Sequence, residues 1–388
     1  MPMPASPDRN PFNFGDLALD EAFTDREAEL RELKADIRNG QNVVVFAPRR
    51  YGKSSLVWRA AQELIDADEA LVAQVDLMRT ATKEQLAAKL AQAIHEQIAT
   101  PLFRVRDRAT QIFRGLRIGP VMTVDPNTGA LGFSFRAGHT TEDVDATLER
   151  LLELPAELAA ERGTAVALVF DEFQEIVGID PRLPPLMRAV FQSQPEVAHI
   201  YLGSKRSMME EIFNDANEPF WRSASQMELG PIPRDAFAPF IRERFESTGR
   251  RVEPEVIDRV LDLTGGHPYA TQEIAYALWE ETPRGGIAGA AAFDRALDRV
   301  LRSENAHFTL VWDDASRTQR LVLQALALEP PESINAEEYR RRHGLPGSSS
   351  LQRALDTLID DELVAKLKPG SYRISEPFLP AWIAEHGA

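Results

Sequence analysis

Residues 42–55 read Asn-Val-Val-Val-Phe-Ala-Pro-Arg-Arg-Tyr-Gly-Lys-Ser-Ser. An uninterrupted apolar run breaks into a short loop that carries Gly52, Lys53 and Ser54, and a helix-compatible run follows over 56–65. The backbone N–H groups of such a loop, together with the N-terminus of the following helix, present partial positive charge to phosphate groups. The pattern predicts a strand, a phosphate-binding loop and a helix, in that order.

The loop predicts a nucleotide site in which two side chains have distinct roles. Lys53 would reach the β- and γ-phosphates, and the Ser54 hydroxyl would take one position around Mg²⁺. Ala47 stands where the GxxxxGK[ST] pattern usually has its first glycine. Either the loop has ordinary backbone angles at Ala47 or the match is accidental. The predicted nucleotide-binding residues of the loop are Ala47, Pro48, Arg49, Arg50, Tyr51, Gly52, Lys53, Ser54 and Ser55.

The composition is that of a globular protein with two or three domains, since the chain has 388 residues, 44% of them hydrophobic. A formal net charge of -16 opposes non-specific binding to nucleic acid or anionic membranes, unless a local basic face overrides it. The absence of cysteine excludes disulfides, thiolate catalysis and cysteine zinc sites. Because no stretch approaches the ~18 apolar residues of a membrane span and the N-terminus has no signal-like apolar region, we expect a cytoplasmic protein without membrane contact.

Strands and helices alternate along the first 232 residues. This alternation predicts an α/β fold with a mostly parallel sheet covered on both faces and ligands at the carboxyl ends of the strands. The predicted strands after the phosphate loop cover 71–77, 165–171 and 197–203. The predicted helices cover 82–98, 141–162 and 184–194.

Two segments fall outside this alternation. Near the N-terminus, residues up to about Gly15 are expected to lie on the surface or to be partly disordered, and Thr24 with Glu27 predicts a capping box that opens a helix. Apolar residues alternate on both sides of Asp125-Pro-Asn-Thr-Gly129, which predicts a β-hairpin inserted over about 116–136. This hairpin either decorates the core or binds a partner.

The C-terminal part has a different pattern. From 233 to about 304 it is predicted to be wholly helical, with a break at Gly265-Gly-His-Pro268. Three helix-like runs and two strand-like runs around a turn at Lys368-Pro-Gly-Ser371 follow. That order predicts a winged helix-turn-helix.

Asp171 and Glu172 end the second long apolar strand. Phosphoryl transfer to water needs a metal held against the phosphates and a group that orients the attacking water. Asp171 suits the Mg²⁺ shell beside Ser54, and Glu172 suits the activation of water. A solvated loop start is the alternative, but the upstream phosphate loop favours the catalytic pair. A histidine metal site and serine-hydrolase chemistry find no support, since neither H-E-x-x-H nor G-x-S-x-G occurs.

Four stretches together resemble the archaeal-type ATPases of the STAND class, which are related to AAA+ proteins and close to the initiator and origin-recognition ATPases. The four stretches are 47–55, 169–175, 203–206 and 265–269. The resemblance covers about residues 14–388 and implies an AAA+-type P-loop core. It divides the chain into an N-terminal extension (1–22), the core (23–232), a helical lid (233–305) and a winged helix (306–388).

The resemblance also implies roles for residues outside the loop. Arg26 lies in an N-terminal box, 23–27, that borders the adenine, and Ser204 matches a polar sensor of the γ-phosphate. Arg222 matches an arginine that approaches phosphate, from the same or a neighbouring subunit. His267 and Pro268 match a lid motif that packs on the nucleotide, although a helix-breaking turn with a capped histidine fits the residues equally well. The family's second-sensor arginine is not evident in the lid.

These observations lead to a main hypothesis, an ATP-binding and Mg²⁺-dependent ATPase that acts as a conformational switch. Its hydrolysis would be slow or stimulated by a partner, and it would signal through the lid and winged helix to another protein or to a second copy in the ATP state. A nucleotide-holding scaffold is less favoured, because it would not need Glu172.

The alternative from another class is an ATP-regulated DNA-binding protein of the initiator or loader type. Its predicted recognition helix, which starts near Ser349, carries Gln352 and Arg353 but also Asp356 and Asp360, and acidic groups repel phosphate. Positive charge is available from Arg340, Arg341, Arg342, Lys366 and Lys368. The balance of charge disfavours DNA.

Overall fold

The computed structural model describes residues 9–15, 24–99, 112–113, 116–119, 121–124, 131–134 and 140–387. The chain forms two compact units. The first unit contains residues 26–49 and 53–229, and the second contains 1–25, 50–52 and 230–388. Within the described ranges, none of the helices has both the length and the apolar character needed to cross a membrane.

A five-stranded parallel sheet is the framework of the first unit. Its order is β2-β5-β6-β1-β7, and every neighbouring pair is parallel. A separate antiparallel pair, β3 with β4, forms the inserted hairpin. The strands of this unit are β1 (Val43–Phe46), β2 (Ala70–Asp76), β3 (Val121–Val124), β4 (Leu131–Ser134), β5 (Ala165–Asp171), β6 (Val197–Gly203) and β7 (Ser225–Glu228).

Helices accompany this sheet, and an aromatic cluster in the hydrophobic core fixes the turn after β5. The rings of Phe170, Phe173, Tyr201, Phe213 and Phe220 are buried, and the Phe173 and Tyr201 centroids lie 4.6 Å apart. Because Phe173 follows Glu172 directly, this packing holds the end of β5 in place. The helices are α1 (Glu27–Arg38), α2 (Lys53–Asp66), α3 (Lys83–Ala93) with a π-helical continuation Ile94–Ala99, α4 (Thr141–Arg162), α5 (Ile176–Ile179), α6 (Leu183–Phe191) and α7 (Arg206–Asn214).

The second unit contains the lid-like helices and the winged helix. One hydrophobic cluster includes residues from all of its helices. Its helices are α8 (Arg234–Ser247), α9 (Pro254–Thr264), α10 (Pro268–Glu280), α11 (Ala290–Asp314), α12 (Arg317–Leu328), α13 (Glu337–Arg342), α14 (Ser348–Asp360) and α15 (Leu379–His386). Its strands are β8 (Arg251–Val252), β9 (Ile287–Ala288), β10 (Val364–Lys368) and β11 (Ser371–Ile374).

The fold class is confirmed, with the parallel sheet and the C-terminal winged helix both present, and the predicted hairpin is confirmed in β3 and β4. The predicted turn at 125–129 lies outside the described residues. Two expectations were incomplete. The short edge strand β7 was missed, and the region predicted as wholly helical also contains the parallel pair of β8 with β9.

Two predictions near the N-terminus were wrong. Helix α1 begins at Glu27 with Arg26 as its N-cap, and no side chain caps it. Asp25 and Arg26 both have left-handed backbone, with φ of 57° and 78°, so Thr24 lies outside the capping position. Phe12, expected on the surface, is 2% exposed and packs against Phe240 and Phe245. An apolar ring gains more from this burial than from exposure.

Candidate nucleotide-binding site

The loop between β1 and α2 has its unusual backbone at its tip. Arg50 and Gly52 have φ of 62° and 84°, whereas Ala47 is not among the described residues with positive φ. The loop therefore has ordinary backbone angles where the missing glycine would stand. Helix α2 begins at Lys53, so the N–H groups of its first turn have no partners within the helix.

Lys53 folds back onto the loop that precedes it. Its buried Nζ donates to the carbonyl oxygens of Ala47, at 2.8 Å, and of Pro48, at 3.0 Å. These two hydrogen bonds hold the positive charge of Lys53 against the backbone of the loop. Since an ammonium group has three N–H donors and rotates freely, it can exchange a carbonyl for a phosphate oxygen.

Asp171, the last residue of β5, meets the first turn of α2. Its Oδ2 accepts a hydrogen bond of 3.0 Å from the Ser54 hydroxyl, and the Gln74 amide nitrogen lies 3.5 Å from the same oxygen. Burial raises the pKa of Asp171, the Ser54 hydrogen bond opposes this, and the charge of Glu172 raises the pKa further. A hydroxyl and a carboxylate oxygen side by side are ligands of the kind Mg²⁺ prefers.

Glu172 is held at one of its two carboxylate oxygens. Oε2 accepts from the Ser204 hydroxyl at 2.9 Å and from the Gln174 amide nitrogen at 2.5 Å. Its backbone is left-handed, with φ of 53°, and its N–H donates to Asp171 Oδ1 at 3.0 Å. Ser54, Asp171, Glu172 and Ser204 therefore form one continuous hydrogen-bonded row along the carboxyl edge of the sheet.

In the second unit, the Gly-Gly-His-Pro stretch is a turn between two helices. Gly265 ends α9 with left-handed backbone, and Pro268 opens α10. His267 is the N-cap of α10, where its Nδ1 accepts from the N–H of Ala270 at 3.3 Å. Burial, together with the charge of Arg50, lowers the pKa of His267 to about 4. A neutral ring is the form that can accept this hydrogen bond.

Two loop residues that belong to the second unit contact this turn. The Tyr51 ring meets the His267 ring with centroids 4.7 Å apart. The Arg50 guanidinium carbon lies 4.2 Å from the centroid of the Tyr269 ring, a cation–π arrangement. The capped turn is thus what the structure contains, while the packing of His267 and Pro268 on a nucleotide stays a prediction.

Comparison with known protein families shows to which family this chain belongs. Residues 23–274 match the family described as an ATPase domain predominantly from Archaea. The chain belongs to this family. Residues 306–385 match a probable winged helix domain. None of the curated proteins matches the sequence closely enough to count as a relative.

Two solved structures show the same fold as this archaeal-type ATPase. A Walker-type ATPase of Pyrococcus abyssi is 18% identical, with a TM-score of 0.66 over 96% of this chain and 99% of that chain. The ORC2 protein of Aeropyrum pernix, in ADPNP and ADP complexes, is 14% identical, with a TM-score of 0.55 over 98% of this chain and 99% of that chain. The similarity extends along nearly the whole of each chain, so the fold is common to all three.

Two predicted residues of this ATPase lie apart from the hydrogen-bonded row. Arg26 is buried and forms a 3.1 Å ion pair with Glu29. Arg222 is exposed, with its guanidinium carbon 5.0 Å from the Trp221 ring centroid. Within the described residues it makes no hydrogen bond or ion pair to the row. The roles assigned to both arginines stay predictions.

Sequence reasoning missed two glutamines. Gln174 lies on the 3₁₀ turn after Glu172, and Gln74 lies on β2 opposite Val169 of β5. Gln74 leaves a weak signal, a lone amide in an otherwise apolar strand, whereas Gln174 lies among acidic residues and leaves none. An amide that interrupts a buried strand or core turn needs a polar partner, and here that partner is a carboxylate of the site.

The chain's own residues fit a magnesium nucleotide. The Ser54 and Asp171 oxygens lie 3.0 Å apart, directly after the lysine of the phosphate loop and at a helix N-terminus. Helix N-termini and lysines favour phosphate, and paired oxygens favour Mg²⁺. The donor set therefore agrees with the group that the family implies.

Proposed function

We propose that this chain binds ATP with Mg²⁺ at the loop 47–55, hydrolyses it, and passes the nucleotide state to the lid and winged helix. The observation that carries this proposal is the row of hydrogen bonds from Ser54 through Asp171 and Glu172 to Ser204. In this row the paired oxygens of Ser54 and Asp171 lie beside the Glu172 carboxylate, whose hydrogen bonds within the described residues are all to Oε2.

Each residue of the row has a separate task in this proposal. Ser54 and Asp171 would hold Mg²⁺, which when bound neutralises phosphate charge. Lys53 would bind the phosphates, and Glu172 would orient and deprotonate the attacking water. Ser204 would donate to the γ-phosphate. Arg26, with His267 and Pro268, would border the base, and Arg222 would act from this or a second copy.

The switch part of the proposal draws support from the second unit. Arg50 and Tyr51 of the loop contact Tyr269 and His267 at the start of α10. The lid helices and the winged helix share one hydrophobic cluster. We propose the division at 232 and 305 as core, lid and winged helix, in the manner of STAND-class ATPases. A nucleotide that changes the loop would thereby change contacts of the lid, which is the differential interaction a switch requires.

Replacement of Lys53 by alanine tests the binding step. We expect the Kd for Mg-ATP to rise roughly 10- to 100-fold, because hydrogen bonds to a charged group contribute about 1.5–3 kcal/mol. Isothermal titration calorimetry with purified protein measures this Kd. Lys34→Ala is the matched control, since Lys34 pairs with Glu63 between α1 and α2. Unchanged affinity in Lys53→Ala, or no binding by the unmodified protein, would contradict the proposal.

For the partner of the winged helix, we infer a protein and not duplex DNA. Arg342 is paired with Glu329 at 2.9 Å and with Glu338 at 3.1 Å, so its charge is already neutralised. On α14, Gln352 donates to Asp356 at 2.7 Å. The wing, formed by β10 and β11, is more favourable to DNA binding than α13 or α14, because Lys366 and Lys368 are exposed on β10.

Duplex binding at low salt distinguishes these two partners. With ATP and Mg²⁺ present, we expect little binding of a fluorescent duplex, and no change when Arg341 and Arg342 are replaced by alanine. Tight binding that falls steeply with added salt, and that is lost in this double variant, would establish the DNA-binding alternative instead. Anisotropy titrations at two salt concentrations measure the difference.

A further inference from the structure

Gln174 contacts the carboxylate of Glu172 and is itself buried. Its side chain is 1% exposed, and its Nε2 lies 2.5 Å from Glu172 Oε2. Its Oε1 is also buried and has no hydrogen-bond partner. A buried amide oxygen without a partner costs free energy of folding. The stability of the fold therefore does not by itself explain a glutamine at position 174.

Gly203, the last residue of β6, lies close to the Gln174 amide. A Cβ added at Gly203 would lie 2.7 Å from Gln174 Oε1 and 2.5 Å from Met209 Sδ. Only glycine leaves room for the amide and Met209 to keep these positions. Gly203 directly precedes Ser204, so the two donors to Glu172 are packed at the same strand end.

Both donors bind the same oxygen. Ser204 and Gln174 each donate to Oε2, and Oε1 of Glu172 has no hydrogen bond within the described part of the chain. A hydroxyl has a single proton and donates to one acceptor at a time. If Ser204 donates to phosphate, it releases Glu172, and Gln174 is then the donor that remains.

We propose that Gln174 is a positioning residue, which keeps the Glu172 carboxylate oriented while Ser204 donates to the γ-phosphate. This inference rests on the proposed ATPase function. The amide holds Oε2, which leaves Oε1 to accept the proton of the attacking water. Gln174 itself touches neither nucleotide nor water.

The experiment compares the unmodified protein with Gln174→Met and Gln174→Glu. We expect Gln174→Met to lower kcat roughly 10- to 100-fold, a part of the usual contribution of a general base. The Kd for Mg-ATP should stay within about threefold, because Gln174 does not contact nucleotide. The melting temperature of the nucleotide-free protein should change little, because the lost hydrogen bond to Glu172 is offset by removal of the unpartnered amide oxygen.

Gln174→Glu keeps the shape and replaces the donor with a second carboxylate. We expect the acid limb of its pH–rate profile to move to higher pH, since two adjacent carboxylates do not ionise independently. Gln194→Met is the matched control. Gln194 is another buried glutamine with an unpartnered Oε1, and its Nε2 donates to the Leu152 carbonyl at 2.9 Å. Its kcat should equal that of the unmodified protein.

Each outcome decides between the proposals. If the unmodified protein neither binds nor hydrolyses ATP, the proposed function itself fails. If the unmodified protein hydrolyses ATP and Gln174→Met does so within about twofold of the same rate, the positioning role is wrong. A parallel loss of kcat, affinity and melting temperature in Gln174→Met would also overturn it, because such a loss reports a structural role.

Discussion

Glutamine in place of Glu172 is expected to slow ATP hydrolysis by roughly 10²- to 10⁴-fold while ATP binding changes little. The amide has the size of the carboxylate, and its oxygen can still accept the hydrogen bonds that Ser204 and Gln174 donate to Oε2. It cannot accept a proton from water at neutral pH. The variant therefore removes the chemical role proposed for Glu172 and keeps its packing.

Phosphate release in single-turnover experiments measures this effect, and equilibrium binding of ATP measures the control property. Glu175→Gln is the matched variant, because Glu175 lies on the same 3₁₀ turn, and its nearest cation is Lys205 at 3.9 Å. We expect Glu175→Gln to retain full turnover. Equal rates in Glu172→Gln and the unmodified protein would exclude Glu172 as the water-activating group. An unmodified protein that binds ATP without measurable turnover would favour the nucleotide-holding scaffold.

The sequence predicted the framework of the site because its elements follow from local patterns. The apolar runs at 165–171 and 197–203 coincide with β5 and β6 as observed. Once these strands are parallel neighbours, Asp171 and Ser204 must lie at the same edge of the sheet. That the phosphate loop and the two carboxylates lie close together was therefore predictable without any knowledge of tertiary contacts.

What the sequence did not predict depends on contacts between distant residues or on turn geometry. Phe12 is buried against rings more than two hundred positions away. The 3₁₀ turn folds the Gln174 amide back onto Glu172, and neither propensity nor periodicity specifies that direction. Likewise, the left-handed backbone at Asp25 and Arg26 moved the start of α1 past the predicted capping box. Tertiary packing decided the position of Phe12, and local backbone geometry decided the other two.

A second strong effect is expected at Glu273, a buried acid on α10. Burial, together with the charges of Glu304 and Glu376, raises the pKa of Glu273 to about 8, while the charge of Arg50 opposes this shift. The Oε2 atom of Glu273 is buried and has no hydrogen-bond partner within the described residues. The charge of Glu273 therefore interacts with Arg50 of the loop, with Glu304 on α11 and with Glu376 after β11.

The sign of the effect follows from proton linkage. The pKa of Glu273 is about 8 in the folded protein and 4.5 as the reference value for the unfolded chain, so the folded state binds the proton more tightly. Its contribution to the free energy of unfolding is fully present below pH 4.5 and is lost as the pH rises towards 8. The slope in this window is about 1.4 kcal/mol per pH unit.

Glu273→Gln should abolish this slope, because the amide resembles the protonated acid and does not titrate. At pH 8 we expect the variant to unfold at a higher denaturant concentration than the unmodified protein, with the difference shrinking towards pH 5. Urea unfolding at three pH values measures this. Glu246→Gln, at an exposed position on α8, is the control and should follow the unmodified protein. If Glu273→Gln keeps the same pH slope, the carboxyl is ionised in the folded protein, and Arg50 must then compensate a buried negative charge in the lid.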